Sequence, residues 1–304
     1  MTQSSSLVSR SSEETYADQV MGFTIASRNV RGRVARLDKS IDAILAAHDY
    51  PPAITHCLAE ALVLSALIGS LVKEEGSQMT MQAQTQGGVI RLLACDYKGG
   101  ELRGYVDFDA DRLNELGANP SLRALFGEGY LALTFDRTGG KGRYQGIVPL
   151  EGETLGEACE SYFVQSEQVP TLIRVAVQKG PNGCIAGGLL VQHLADGEEG
   201  RERLHVRLDH PEWDHVAILA SSIRHDELAD ADLSLEALVW RLFHEEDQVR
   251  IQSGAKLVRG CRCSVDHYRS IISRFAPAEQ DEMRDDDGKI MVDCAFCSKT
   301  FEIL

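Results

Sequence analysis

The sequence predicts an α+β chain with a helical region and a small cysteine-bearing domain at its C-terminal end. Three observations support this division. Strand-like segments separated by glycine turns fill the first two thirds; acidic helical segments follow Asp209; and four of the eight cysteines lie in the last 44 residues. The predicted parts are a polar tail (1–15), an α+β domain (16–195), a helical linker (196–251) and a cysteine domain (252–304).

Composition narrows the classes of function. The 304 residues are 43% hydrophobic and 25% charged, which is typical of a globular protein. The formal net charge is -15, whereas a protein that binds duplex nucleic acid needs a basic face to neutralise phosphates. We therefore expect neither nucleic acid nor an anionic membrane surface as a partner.

The N-terminal segment and the most apolar segment both favour a cytoplasmic protein. Residues 1–15 are serine-rich and lack the apolar region of a secretory signal, so we predict a disordered tail. The apolar stretch 57–72 has only 16 residues and contains Glu60, which favours a buried helix over a membrane span. Four cysteines that stand alone among small or apolar neighbours are predicted to be buried and inert: Cys57, Cys95, Cys159 and Cys184.

The α+β domain is predicted to begin with helices. Apolar residues spaced three and four apart in "RVARLDKSIDAILAAHDY" predict a helix over 33–50 that Pro51-Pro52 ends. A second helix follows over 57–73. Further along, "LGEACESYFVQSE" predicts a helix over 155–167. Alternating or β-branched runs predict strands over 78–86, 88–97, 101–108, 129–137, 143–150, 171–178 and 184–194.

Two amphipathic helices are predicted in the linker, over 211–224 and 234–246. Pro211 suits the first turn of one, and Ser234 or Asp232 is a candidate N-cap of the other. Bulky apolar residues alternate here with many acidic ones. We expect the apolar stripe to pack on the α+β domain at rest.

The C-terminal cysteines form a C-x-C pair, Cys261 and Cys263, and a C-x-x-C pair, Cys294 and Cys297. A metal site, two disulfides, or both at different times would explain them. Four thiolates complete a tetrahedral Zn²⁺ shell, and a domain this short needs a metal or disulfides to fold. We therefore predict one bound zinc in the reduced chain. His267 is predicted to be a surface residue, because four thiolates suffice.

A closed thiolate site would not activate water, but oxidants attack thiolates, so the quartet is also a candidate redox switch. No phosphate loop, H-E-x-x-H or G-x-S-x-G motif is present, and nothing in the sequence requires an enzyme.

With these features the chain resembles the 33-kDa heat-shock protein family of redox-regulated chaperones. The resemblance covers nearly everything after about residue 15. The motifs that carry it are "NVRGRVARL", "YQGIVPL", "YFVQSEQVPT", "AGGLLVQ", "WRLFHEE" and the quartet "CRCS…CAFC".

The resemblance implies that the four clustered cysteines bind Zn²⁺ when reduced. It implies Cys261–Cys263 and Cys294–Cys297 disulfides under oxidative stress, with zinc release and unfolding of the zinc domain and linker. The protein would then dimerise and hold unfolding client proteins without ATP. The apolar residues of the acidic linker would offer client-binding surface, while their charged neighbours keep the complex soluble.

Two other functions compete with this one. A zinc-ribbon-like adaptor would bind a partner without redox switching, although the acidic loop 281–288 disfavours nucleic acid. A thiol–disulfide oxidoreductase using "CAFC" would be expected to carry this motif in a βαβ setting, not in the terminal segment.

Overall fold

A computed structural model describes residues 16–72, 74–138, 142–180, 183–194 and 210–303. The predicted tail (1–15) and the first part of the predicted linker lie outside them. The strands are β1 (Gln19–Ile25), β2 (Val30–Leu37), β3 (Gln78–Gln86), β4 (Ile90–Lys98), β5 (Glu101–Phe108), β6 (Glu128–Asp136), β7 (Arg143–Pro149), β8 (Thr171–Gly180), β9 (Gly183–His193), β10 (Val249–Gln252), β11 (Val258–Arg259), β12 (Met291–Asp293) and β13 (Thr300–Glu302). The helices are α1 (Lys39–Leu45), α2 (Pro52–Gly69), α3 (Ala110–Glu115), α4 (Leu122–Phe126), α5 (Leu155–Tyr162), α6 (Pro211–Ser221), α7 (His225–Leu228), α8 (Leu235–Phe243), α9 (Val265–Ile272) and α10 (Pro277–Glu282).

Two large sheets and one hairpin organise the chain, which confirms the α+β class. The first sheet has the order β10-β1-β2-β9-β8 and is antiparallel throughout. The second has the order β11-β5-β4-β3-β6-β7, in which β11 alone runs parallel to its neighbour. Strands β12 and β13 form the hairpin.

Helix α2 lies between the two large sheets. Glycines allow its close approach: a Cβ on Gly104 would meet Leu58 and Leu62, and one on Gly188 would meet Val63 and Leu67. The helix is long and apolar enough to cross a membrane, but 78% of it is buried inside the protein. It is the core helix of the fold, as the sequence predicted.

Helices α6 to α8 cover the other face of the first sheet and complete a second apolar core there. Phe243 of α8 lies against Phe23 of β1, with ring centres 5.5 Å apart. Ser234 caps α8 through the Ala237 N–H, and Pro211 occupies the first turn of α6. The predicted packing of the apolar stripe is observed, except that Ile218 and Trp240 are 71% and 64% exposed.

The helix predicted over 33–50 is wrong in its first part. Residues Val30–Leu37 form β2, which pairs with β1 and β9, and only Lys39–Leu45 is helical. Pro52 begins α2 instead of serving only to end α1. The predicted helix over 155–167 is α5 followed by one π-helical turn, Phe163–Glu167.

Candidate metal centre

The four clustered cysteines come from two segments that the local fold brings together. Cys261 and Cys263 lie between β11 and α9, which Ser264 caps through the His267 N–H. Cys294 and Cys297 lie in the turn that joins β12 to β13, and the Cys294 carbonyl accepts the N–H groups of Cys297 and Ser298. Ser298 adopts a left-handed conformation (φ 55°) that closes this turn.

The sulfur atoms form one compact group. The Sγ atoms of Cys261 and Cys263 are 3.3 Å apart, those of Cys261 and Cys294 are 3.6 Å apart, and those of Cys263 and Cys297 are 3.4 Å apart. All four lie within 4.8 Å of one another. Zn–S bonds of about 2.3 Å place tetrahedral ligands about 3.8 Å apart, whereas a disulfide measures about 2.05 Å. The spacing therefore fits four separate metal ligands.

Electrostatics favour a cation at the centre of this group. Burial disfavours the Cys294 thiolate, but hydrogen bonds from the Tyr268 hydroxyl and the Phe296 backbone outweigh burial and lower the pKa of Cys294 to about 6. Burial and the adjacent sulfurs raise the pKa values of Cys263 and Cys297. Four thiolates would repel one another here, and a soft dication such as Zn²⁺ would compensate their charge.

The segment around the sulfurs has little apolar interior of its own. Its buried core consists of Ile272, Ile290 and Ile303. We call residues 261–303 the cysteine module. A core of three residues contributes little stability. The sulfur cluster is therefore the main cross-link available to the module in the described part of the chain.

The segment that carries the first cysteine pair also contacts the second sheet. Between its cysteines, Arg262 donates to the Asp96 carboxylate at 3.1 Å and to the Gln78 side chain at 3.2 Å. Asp96 is buried and also accepts from Arg103 at 2.7 Å. Just upstream, β11 pairs with β5, and the Gly260 N–H donates to the Leu102 carbonyl at 2.8 Å.

The second pair docks through the aromatic residue inside it. The Arg103 guanidinium lies over the Phe296 ring, 4.0 Å from the ring centre. Tyr105 meets the same ring edge-on, with centres 4.9 Å apart. Each cysteine pair therefore encloses one residue that contacts the sheet, so the sulfur positions and the docking contacts are mechanically linked.

The remaining sequence-predicted residues lie away from this cluster. His267 is exposed, as predicted. Cys57, Cys95, Cys159 and Cys184 are buried in the main core. Burial raises the pKa of each of the four thiols, that of Cys184 to about 11, which agrees with inert thiols.

Comparison with known proteins bears on the whole chain. Residues 18–303 match the sequence model of a family described as Hsp33 protein. The 33 kDa chaperonin of Caulobacter vibrioides is 40% identical over 294 residues, with 94% of each chain covered. That of Shewanella loihica is 33% identical over 279 residues, covering 92% of this chain and 90% of the relative. The crystal structure of the 33 kDa chaperonin from Thermotoga maritima has a TM-score of 0.75 at 22% identity, covers 94% of both chains, and so shares the fold.

Proposed function

Because the chain belongs to the Hsp33 family of chaperones, we propose that it is a redox-regulated, ATP-independent holdase. In the reduced state Cys261, Cys263, Cys294 and Cys297 hold one Zn²⁺, and the cysteine module stays docked. Under oxidative stress the zinc leaves and the chain binds unfolding client proteins. The observation that carries this proposal is the cluster of four sulfurs in a module with only three buried apolar side chains.

Oxidation proceeds in two balanced steps. Cys261 and Cys263 lose two electrons to one peroxide and form one disulfide, and Cys294 and Cys297 lose two electrons to a second peroxide. Each peroxide takes up two protons and becomes two waters. This pairing is the one that the resemblance to the family implies. The two steps remove all four ligands and release one Zn²⁺.

Loss of the metal acts on the module first. Structural zinc typically contributes on the order of 10 kcal/mol to the folding of a small domain. With three buried isoleucines the module has no comparable replacement, so it unfolds. Arg262 and Phe296 then leave Asp96, Arg103 and Tyr105, and the resemblance to the family implies that the linker unfolds as well.

The unfolded linker and the sheet face beneath it become the surface for clients. In the folded chain, apolar residues of α6 to α8 form one core with residues of β1, β2, β8 and β9. Both sides of this core would be exposed together. The oxidised chain forms a homodimer. The cycle requires a compartment that is reducing at rest, which agrees with a cytoplasmic protein.

The proposal is tested by counting zinc and free thiols during oxidation. Zinc-loaded protein is treated with peroxide and mild heat, and the suppression of aggregation of a thermally unfolded client is measured in parallel. We expect four thiols and one zinc to be lost together, with suppression appearing at the same time. A Cys184→Ser variant is the matched control and should behave like the parent.

Two results would contradict the proposal. Zinc loss without any suppression of aggregation would remove the chaperone function. Zinc retained through oxidation, with all four thiols protected, would leave only a structural metal site and favour the adaptor.

A further inference from the structure

The first sheet differs in charge from the rest of the chain. Strands β1, β2, β8 and β9 contain no Asp or Glu, in a chain that has 46 of them. The same four strands carry five cationic side chains: Arg31, Arg33, Arg36, Arg174 and Lys179. Side chains alternate between the two faces of a strand, so Arg36 and Arg174 lie on the face that α6 to α8 cover, whereas Arg31, Arg33 and Lys179 lie on the opposite face. In a chain with a net charge of -15, the covered face of these four strands therefore carries cations and no Asp or Glu.

The cover of this sheet has the opposite composition. Residues 210–248 contain ten Asp and Glu but only two Arg. Their apolar side chains pack on the sheet, as Val216, Leu238 and Phe243 do. The cover is thus an acidic amphipathic segment bound to an apolar, cationic face.

Arg36 lies at the centre of this interface and is completely buried. Its Nε donates to the Leu228 carbonyl at 2.9 Å, its Nη2 to the Glu227 carbonyl at 3.0 Å, and its Nη1 to the Leu233 carbonyl. Glu227 and Leu228 end the single helical turn α7, where carbonyl oxygens that lack an intrahelical donor favour a cation. The guanidinium therefore binds the end of a helix that lies on the sheet.

At the rim of the interface, a cationic side chain beside the sheet binds carboxylates of residues 210–248. Arg28, in the turn between β1 and β2, donates to Glu246 at 2.8 Å and is also paired with Glu212. His215 adds a second contact to Glu246, at 2.6 Å. The sheet thus contacts residues 210–248 in three ways. Apolar side chains pack together, the buried Arg36 binds the end of a helix, and Arg28 at the rim binds acidic side chains.

We infer that this face of the first sheet, when uncovered, binds amphipathic segments of client proteins that are acidic and able to form a short helix. The inference rests on the proposed function, since the face is covered in the described structure. Residues 210–248 then compete with client proteins for this face, and they share the acidic, amphipathic character of the clients whose binding they block. Segments of equal apolar content but basic charge are disfavoured by Arg28 and Arg36.

The test uses the oxidised full-length chain and labelled peptides. The first peptide is the sequence of residues 210–248. In the second peptide every Asp and Glu is replaced by Asn and Gln, and in the third every Asp and Glu is replaced by Lys. Binding is measured by fluorescence anisotropy at low and at high salt. Several partly exposed charge pairs predict that the acidic peptide binds about tenfold more tightly than the neutral one at low salt, and that salt reduces this advantage.

Variants assign the preference to this face. Arg28→Gln should reduce the difference between the acidic and the neutral peptide to about threefold or less. Arg36→Gln should weaken the binding of both peptides about equally, because Arg36 binds backbone carbonyls that both peptides contain. Arg91→Gln is the matched control, because Arg91 is an exposed cation of the second sheet that pairs with Asp107. It should leave the preference unchanged.

The outcomes separate this inference from the proposed function. Suppression of client aggregation with no charge preference, or with a preference for the basic peptide, overturns the inference and leaves the holdase in place. An equal loss of preference in Arg28→Gln and in Arg91→Gln also overturns it. Failure of the oxidised chain both to suppress aggregation and to bind any peptide overturns the two together.

Discussion

The linker and the cysteine module are both held against the α+β body, but by different means. The linker shares an apolar core with the first sheet, and the fully buried Arg36 of β2 binds backbone carbonyls of the linker at this interface. The module touches the second sheet through one arginine and one aromatic ring, just after the two-residue strand β11, and its own core has three residues. The proposed zinc could therefore control the weaker attachment without contacting the stronger one.

Removing the metal should have the largest effect. Chelation of zinc from the reduced protein is expected to unfold residues 261–303, because zinc contributes on the order of 10 kcal/mol in such sites. Hydrogen exchange read by mass spectrometry should show lost protection in β12, β13 and α9, with β3 to β6 unchanged. Cys294→Ser should reproduce the effect and Cys184→Ser should not. A module that stays protected without zinc would show that its folding does not depend on the metal.

Arg36→Met should release the linker while the metal stays bound. It leaves carbonyl oxygens of α7 and of the loop before α8 without their buried donor, at a cost of about 1–3 kcal/mol each. We expect faster exchange in α6 to α8 and unchanged zinc content in the reduced protein. Arg91→Met is the control. Simultaneous loss of zinc would mean that the two attachments are not separable.

Phe296→Ala should undock the module with a smaller effect. It removes an edge-to-face aromatic contact and a cation–π contact, each worth about 0.5–1.5 kcal/mol. Exchange at the Val258 and Gly260 N–H groups should accelerate, while zinc affinity stays within about twofold because no ligand is changed. Phe275→Ala, in the same module but 41% exposed, is the control. Unchanged exchange at both N–H groups would exclude Phe296 as an anchor.

The smallest expected effect is a pH dependence of linker docking. The hydrogen bond from Arg28 is the main cause that lowers the pKa of Glu246 below its ordinary 4.5. A carboxyl group with a depressed folded-state pKa stabilises the fold above the ordinary pKa, and this contribution is lost as pH falls through the depressed value. Docking should therefore weaken below about pH 4.5 by about 1 kcal/mol or less.

Arg28→Met should remove this pH dependence. The transition can be followed by fluorescence of Trp213 and Trp240, with Arg91→Met as the matched variant. A transition of equal size in both variants would assign the acid sensitivity to other groups.

Much of the body could be predicted from local pattern. The segments predicted as strands over 78–86 and 101–108 are β3 and β5 without change, because alternation of apolar side chains is a local signal. The wrong helix over 33–38 arose because Leu37 has helical spacing with Ile41, Ile44 and Leu45, which drew the preceding residues into the predicted helix. Pairing of β2 with strands on both sides overrides that spacing.

The spacing of the cysteines could predict a site but not how it is attached. Arg262 and Phe296 were visible only as residues between ligands, and their partners Asp96 and Arg103 are far away in sequence. Tyr268, whose hydroxyl hydrogen-bonds to the Cys294 thiol, gave no signal either. Contacts of this kind depend on the tertiary arrangement, which no local pattern reports.

The short strand β11 has a further consequence. It pairs with β5 only at Glu101 and Leu102, and among the described residues no other strand covers that border of the sheet. An uncovered border offers unpaired N–H and C=O groups to any extended chain, including a second copy. The segment leading into the first cysteine pair therefore covers this edge and hinders its pairing with another chain, and under the proposed redox cycle oxidation of the thiols would uncover it.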